Sequence, residues 1–336
     1  MTDESRDLIV VGASAGGVEA LRSLVMGLPE DFPACVVVVL HVPANSPSAL
    51  PSILRRATNL SVKQAASHDR LTPGTVLVAP PDHHVIVYDD SITLSHGPRE
   101  NGHRPAVDVL FRSAARTRGN RVVGVVLSGG LDDGAAGLLA ISQRGGACVV
   151  QDFDDALHDS MPRAAATAVP ECLVAPMAKM GEVLQDLVKQ PTPRGDDPPE
   201  LMEVETAMAQ MDPSAMHEDQ RPGQPSGFAC PDCHGVLFEI DDGSLLRFRC
   251  RVGHAWSPES LVVQQSTDLE SALWMALRNL EEKSALTRRL ASRALERGHG
   301  LTSNYLVEEA DEAMRAAELL RELIQRLAEN QSQATG

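Results

Sequence analysis

The stretch that most constrains this chain is Leu8-Ile9-Val10-Val11-Gly12-Ala13-Ser14-Ala15-Gly16-Gly17-Val18-Glu19. A run of apolar β-formers ends in small residues and passes into helical spacing at Val18, Leu21, Leu24 and Val25, so the stretch reads as strand, tight turn, helix. The turn sets Ser14 where the strand stops, and small residues on both sides leave its hydroxyl open. Free N–H groups at the start of the helix favour negative charge there. Taken alone, the motif supports two readings. Gly-x-Ser-x-Gly after a strand is the nucleophile-elbow pattern of serine esterases. The same glycines could cradle a phosphate as in dinucleotide-binding folds, but Ser14 stands where the fingerprint needs its second glycine. A simple Gly-rich turn, with Ser14 capping the helix, is the plain structural alternative.

Further apolar runs of strand length follow at 34–40, 75–79, 122–127, 148–150 and 172–174, with a short strand at 85–88 turning into 91–94 as an antiparallel hairpin. Helical patterns at 48–57, 106–116, 161–169 and 177–189, and one through Leu138, Leu139 and Ile141, lie among them. Continuous apolar strands are those buried on both faces. The expectation is an α/β fold, a doubly wound, mainly parallel Rossmann-like sheet with helices on both faces. Ligand sites in such sheets sit at the carboxyl ends of the strands, and Ser14, His41 and Asp133 all fall there.

That coincidence points to chemistry. A serine hydroxyl needs a base, an imidazole titrates in the right range, and a buried carboxylate fixes the imidazole's tautomer. Each residue also has a plain role: Ser14 as a cap, His41 as a packed strand-end histidine, Asp133 as a turn residue beside glycine. The order Ser, His, Asp differs from that of α/β-hydrolases, so a triad here belongs to another sheet topology.

The chain's 336 residues allow about two domains, and 43% hydrophobic residues suffice for a core. Aromatic residues are only 3%, so aliphatic side chains must fill it. A formal net charge of −16 argues against nucleic acid as a partner. The acidic start, Met1-Thr2-Asp3-Glu4-Ser5-Arg6-Asp7, lacks the regions of a signal peptide, and no apolar run approaches the roughly 18–20 residues of a membrane span. Cys35, Cys148 and Cys172 sit in strand-like runs and read as reduced core residues. The expectation is a cytoplasmic protein with no membrane insertion.

Several segments occur in order: Val11 to Gly17, Leu40-His41-Val42-Pro43, Ala79-Pro80-Pro81-Asp82, His103-Arg104-Pro105-Ala106-Val107-Asp108-Val109-Leu110-Phe111, Leu127 to Gly137, and Gln151-Asp152 with Ser160-Met161-Pro162-Arg163-Ala164-Ala165. Together they resemble the catalytic domain of chemotaxis protein-glutamate methylesterases, the CheB type, over roughly residues 6–190. The resemblance implies hydrolysis of γ-glutamyl methyl esters on a methylated, chemoreceptor-like coiled coil, with glutamine deamidation in some members. It implies Ser14 as nucleophile, His41 as base and Asp133 as carboxylate, with no cofactor for catalysis. Two departures stand out. The family commonly has Thr where this chain has Ala15. It also usually reads Gly-Met-Gly where this chain has Gly129-Gly130-Leu131, and the Met position supplies an oxyanion-hole N–H. Gly130 still offers one, on a looser backbone. The family's usual N-terminal receiver domain is not expected ahead of a serine motif so near Met1. The alternative is a signalling adaptor that keeps the fold with weak or no catalysis.

Residues 191–226 are acidic and rich in Pro and Gly, which reads as a flexible linker with room for a short helix around 201–211. At 227–256, Cys230-Pro231-Asp232-Cys233 and Cys250 with His254 offer four ligands suited to tetrahedral zinc, and Asp241-Asp242-Gly243 signals a hairpin between them. The segment reads as a Cys₃His zinc ribbon with a structural Zn²⁺. His234 adjoins Cys233 and is poorly placed to close the site, and no thioredoxin-like βαβ surrounds the cysteines to favour redox chemistry. Ser257-Pro258 starts a long helix, Gly298-His299-Gly300 breaks it, and a second helix follows, so 257–330 reads as an α-helical hairpin. A self-contained hairpin, a homodimer or a receptor-docking element would each bury its apolar stripes.

Overall fold

The computed structural model describes residues 5–45, 47–192, 197–217, 223–242 and 245–334. Its elements run β1 (Leu8–Ala13), α1 (Gly17–Met26), β2 (Cys35–Leu40), α2 (Leu50–Arg55), β3 (Ser61–Gln64), β4 (Thr75–Val78), β5 (His84–Tyr88) and β6 (Ser91–Ser95). Then come α3 (Val107–Arg118), β7 (Val122–Val126), α4 (Ala135–Gln143), β8 (Ala147–Gln151), α5 (Ser160–Ala168), β9 (Leu173–Ala175) and α6 (Met177–Lys189). Beyond them lie α7 (Glu200–Ala209), α8 (Pro213–His217), β10 (Gln224–Ala229), β11 (Val236–Asp242), β12 (Leu245–Cys250), β13 (Ala255–Trp256), α9 (Pro258–Glu296) and α10 (Gly300–Ala334).

Seven strands form one sheet in the order β3-β4-β2-β1-β7-β8-β9, every pair parallel. Alternate side chains of the central strands enter two cores. Leu8, Val10, Val37 and Val39 pack with Leu110, Phe111 and Leu138, while Ile9, Val11, Val36 and Val38 pack with Leu21, Leu24 and Leu184. Helices therefore cover both faces, the doubly wound α/β arrangement the apolar strands require. β5 and β6 form a separate antiparallel hairpin, as their turn predicts. The sequence reading missed β3, an edge strand of which only Val62 is buried.

The chain resolves into two compact units, Met1–Leu261 and Val262–Gly336. The first therefore runs through the expected 190 and 226 boundaries. Residues 193–196 and 218–222 of the expected linker lie outside the described residues, but α7 stands where a short helix was expected and is packed, with Met202, Met208 and Ala209 buried. Its last carbonyl accepts a 2.7 Å hydrogen bond from Ser95 Oγ. β10 to β13 form a four-stranded sheet, more than the expected hairpin, whose turn at Gly243 lies outside the described residues. In the second unit α9 and α10 meet along Leu277, Ala317 and Ile324, and Ser284 Oγ donates to Ala310 O at 2.8 Å. Among the described residues no helix is long and apolar enough to cross a membrane.

Candidate active site

Strand register assembles the site. β1 and β2 pair through Ala13 and Leu40, so Ser14 and His41 are the next residues on adjacent strands, and the His41 N–H donates to Ala13 O at 3.1 Å. On the other flank Ser14 N–H donates to Ser128 O at 3.0 Å. This draws the 128–130 turn so close that a Cβ on Gly129 would lie 2.9 Å from Ser14 Cβ and 2.0 Å from Met161 Sδ. Only glycine fits there. At the start of α1, Gly16 stands at φ +75° as the N-cap residue, with no side chain capping the helix. The capping role for Ser14 is therefore not the one taken. The N–H groups of Ala15, Gly16 and Gly130 have no hydrogen-bond partner among the described residues.

His41 Nε2 lies 2.8 Å from Asp133 Oδ2. Asp133 is 2% exposed and also accepts from Val107 N–H at 2.7 Å, Asp108 N–H at 3.2 Å and Asn101 Nδ2 at 3.3 Å. Burial by itself would raise this carboxyl. The His41 hydrogen bond, then the electrostatic influence of the adjoining His41 and His103 rings and the Val107 N–H, outweigh it and hold Asp133 well below the usual carboxylate range. With the Nε2 proton given to an ionised Asp133, the neutral imidazole keeps its lone pair on Nδ1. Nδ1 is buried and has no hydrogen-bond partner among the described residues.

His103 stacks on His41 with ring centroids 3.7 Å apart and planes within 10°. Burial, then the charge of His41, pushes His103 down to about 4, so it faces its neighbour as a neutral ring. Arg104 is held by Asp82, with Nη2 to Oδ1 at 2.7 Å. An open cleft of about 410 Å³ beside His41 is lined by Arg99, His103 and Arg104.

Two further carboxylates surround Asp133. Asp108 accepts the Gly134 and Gly137 N–H groups at 3.0 and 2.6 Å, yet burial and the charge of Asp133 push it well above its ordinary value. Asp132 accepts the hydroxyls of Ser257 and Ser260 at 2.8 and 3.0 Å. Burial lifts it to about 6 despite those bonds. Sequence reasoning assigned no role to Asn101, to Asp108, known only as part of the segment 103–111, or to the Ser257 contact. Ser257 was legible only as a helix cap, a role it fills by accepting Ser260 N–H at 3.0 Å.

Far downstream of Asp133 in the chain, Cys230, Cys233, Cys250 and His254 bring their ligand atoms within 4.8 Å of one another. Cys233 Sγ is 3.6 Å from Cys250 Sγ, which is 3.5 Å from His254 Nδ1. Thiolates on one tetrahedral zinc stand about 3.8 Å apart, so this donor set can hold a metal ion of that kind. His234 is not among the four.

The comparisons bear on the first unit. Residues 9–184 match the model of the CheB methylesterase family, and the chain belongs to that family. A Syntrophus aciditrophicus protein-glutamate methylesterase/protein-glutamine glutaminase 2 is 38% identical over 169 residues, 49% of each chain. A Pseudomonas aeruginosa protein of the same name is 43% identical over 162 residues, 47% of this chain and 46% of its own. A Leptospira interrogans protein whose name carries the same two activities is 36% identical over 178 residues, 53% of this chain and 92% of its own. The chain thus spans about half the length of the first two. The crystal structure of the Thermotoga maritima CheB methylesterase catalytic domain superposes with a TM-score of 0.53 at 30% identity, covering 55% of this chain and all of that domain.

Proposed function

We propose that this chain is a serine carboxylesterase that hydrolyses glutamate γ-methyl esters on a methylated, chemoreceptor-like coiled coil, and that it deamidates glutamine at such sites. The observation that carries the reading is His41, gripped through Nε2 by a buried ionised Asp133, with Nδ1 left as the base one residue past the β1–β2 pair that also sets Ser14. Ser14 Oγ attacks the ester carbonyl carbon and its proton passes to Nδ1. The developing oxyanion is received by the free N–H groups of the Ser14 and Gly130 turns. Nδ1 then protonates the departing methoxide, giving methanol and a glutamyl-Ser14 ester, and the same nitrogen activates water to release glutamate. By analogy with other triads, loss of the carboxylate costs on the order of 10⁴ in rate. Cys230, Cys233, Cys250 and His254 hold a structural zinc, a fully occupied tetrahedral site with no open position for catalysis.

The names of the relatives and the family membership support the substrate class. The test is methanol release from a methylated receptor fragment together with labelling by a fluorophosphonate probe. The parent chain is expected to do both, and Ser14→Ala neither. Parent-like rates from that variant would sink the reading.

A further inference from the structure

Asn101 joins the second half of the chain to the triad carboxylate. It lies in the turn before α3 at φ +51° and is 8% exposed. Its backbone N–H donates to Ala255 O at 2.8 Å, on strand β13 of the ribbon sheet. The N–H of Ser257, two residues on, donates to Asn101 Oδ1 at 2.9 Å. That bond fixes which end of the amide is oxygen. The NH₂ group therefore faces two carboxylates and gives one hydrogen to each, Asp133 Oδ1 at 3.3 Å and Asp108 Oδ2 at 3.2 Å. The other oxygen of Asp133 holds His41 Nε2. A continuous path of hydrogen bonds thus runs from the end of the ribbon through one amide to the imidazole.

We propose that Asn101 is a positioning residue: clamped by the backbone of the ribbon's exit, it separates Asp108 from Asp133 and orients Asp133 toward His41, so that the packing of the ribbon within the first unit completes the active site. The proposal rests on the reading of Ser14, His41 and Asp133 as the reacting triad. Its physical basis is the cost of two buried carboxylates facing one another without a shared donor. The groups that face Asp133 are His41 and His103 at the cleft, Asp108 on α3 and Asp132 in its own turn, with His84, Glu100 and Arg112 behind them. Arg99 lies beside His103. Of these only Asp108 shares the Asn101 donor.

The amide lowers the basicity of Asp133, and through it that of His41. Its removal leaves Asp133 a stronger acceptor for the His41 Nε2 hydrogen, so the acid limb of the reaction moves to higher pH. The experiment uses the full chain and reads the rate of fluorophosphonate labelling from pH 5 to 9, with thermal unfolding as the check on folding. Asn101→Ala is expected to move the acid limb of the profile upward by about one pH unit, a roughly tenfold slower labelling at the low end. Asn101→Ala combined with Asp108→Asn returns an amide beside Asp133 from the other side and is expected to restore most of that shift. Should Asn101→Ala not fold, Asn101→Ser, too short to reach both carboxylates, is read in the same way. A limb that stays at the parent's pH, even with a uniformly lower rate, overturns the positioning role, as does a double variant whose losses simply add. Those results leave the triad reading standing when Ser14→Ala is unlabelled. Labelling that survives Ser14→Ala overturns both.

Discussion

Asp132 and Asp133 are neighbours in sequence with opposite fates. Asp133 is held ionised by four donors, whereas Asp132 has two serine hydroxyls and is lifted to about 6. An unfolded aspartate titrates near 3.9, so between about pH 4 and 6 the folded chain holds a proton that the unfolded chain releases. The stability contributed by that proton is present below about pH 4 and is lost as pH rises through 6. Asp132→Asn keeps an acceptor for Ser257 and Ser260 without the buried charge. Its stability relative to the parent should therefore rise by on the order of 2 kcal/mol from pH 4 to pH 8, measured by urea unfolding at both. Leu131, one residue earlier, stands at φ +60° and is 36% exposed. A left-handed conformation costs a non-glycine residue about 1–2 kcal/mol, and glycine gives back roughly 0.5–1 of that in chain entropy. Leu131→Gly should raise the unfolding midpoint slightly, and a clear fall would show that the leucine side chain is held by contacts. At this scale Ser14, His41 and Asp133 were legible because apolar runs mark where strands end. Asn101 was not, because Glu100-Asn101-Gly102 reads locally as an ordinary turn and its partners lie 7, 32 and 156 residues away.

Among the elements, α7 was expected as a short helix within a flexible linker, and its packing is what departs from the sequence reading. The surrounding proline and acid gave no sign that this helix has a buried face, which carries Met202, Glu205 and Met208. Glu205 on that face reads as a solvated charge until its partners are known. It accepts from Arg247 at 2.7 Å and Arg249 at 2.9 Å, both on β12, while Arg112 of α3 lies 3.8 Å away. Arg112 and Arg249 also share Glu100 at 2.6 and 3.0 Å. Three arginines from two distant segments thus converge on two buried glutamates, a pairing no local pattern encodes. Glu205→Ala leaves buried guanidinium groups short of a counter-charge, and breaking such a cluster costs about 3–5 kcal/mol. Urea unfolding of the first unit should show that loss, with proteolysis appearing first around α7. The parallel sheet was legible because each central strand is apolar on both faces. Edge strand β3 was not, since Ser61-Val62-Lys63-Gln64 buries one side chain.

For the molecule as a whole, the ribbon is a part of the first unit with its own small core of Leu237, Phe248, Trp256 and Leu261. With the zinc proposed for Cys230, Cys233, Cys250 and His254, so small a cluster would depend on the metal to stay folded. The full chain should carry about one zinc, detected colorimetrically on thiol modification, and Cys250→Ser should lose it. Amide hydrogen exchange should then quicken in β10 to β13 well before β1, β2 and β7, and equal protection in both proteins would argue against a structural metal. The long helices of the second unit were legible from their stripes and from the Gly298 break, which stands at φ +79°.

Burying the arginine cluster has one more consequence. Dissolved ions weaken pairs that water can reach, such as Lys283 with Glu309, but cannot enter between Glu100, Glu205 and their arginines. Molar sodium chloride should leave the ribbon fastened to the sheet. Strong acid should free it, because burial works against the ionised Glu205 while Arg247, Arg112 and Arg249 hold its proton affinity below that of an ordinary carboxylate.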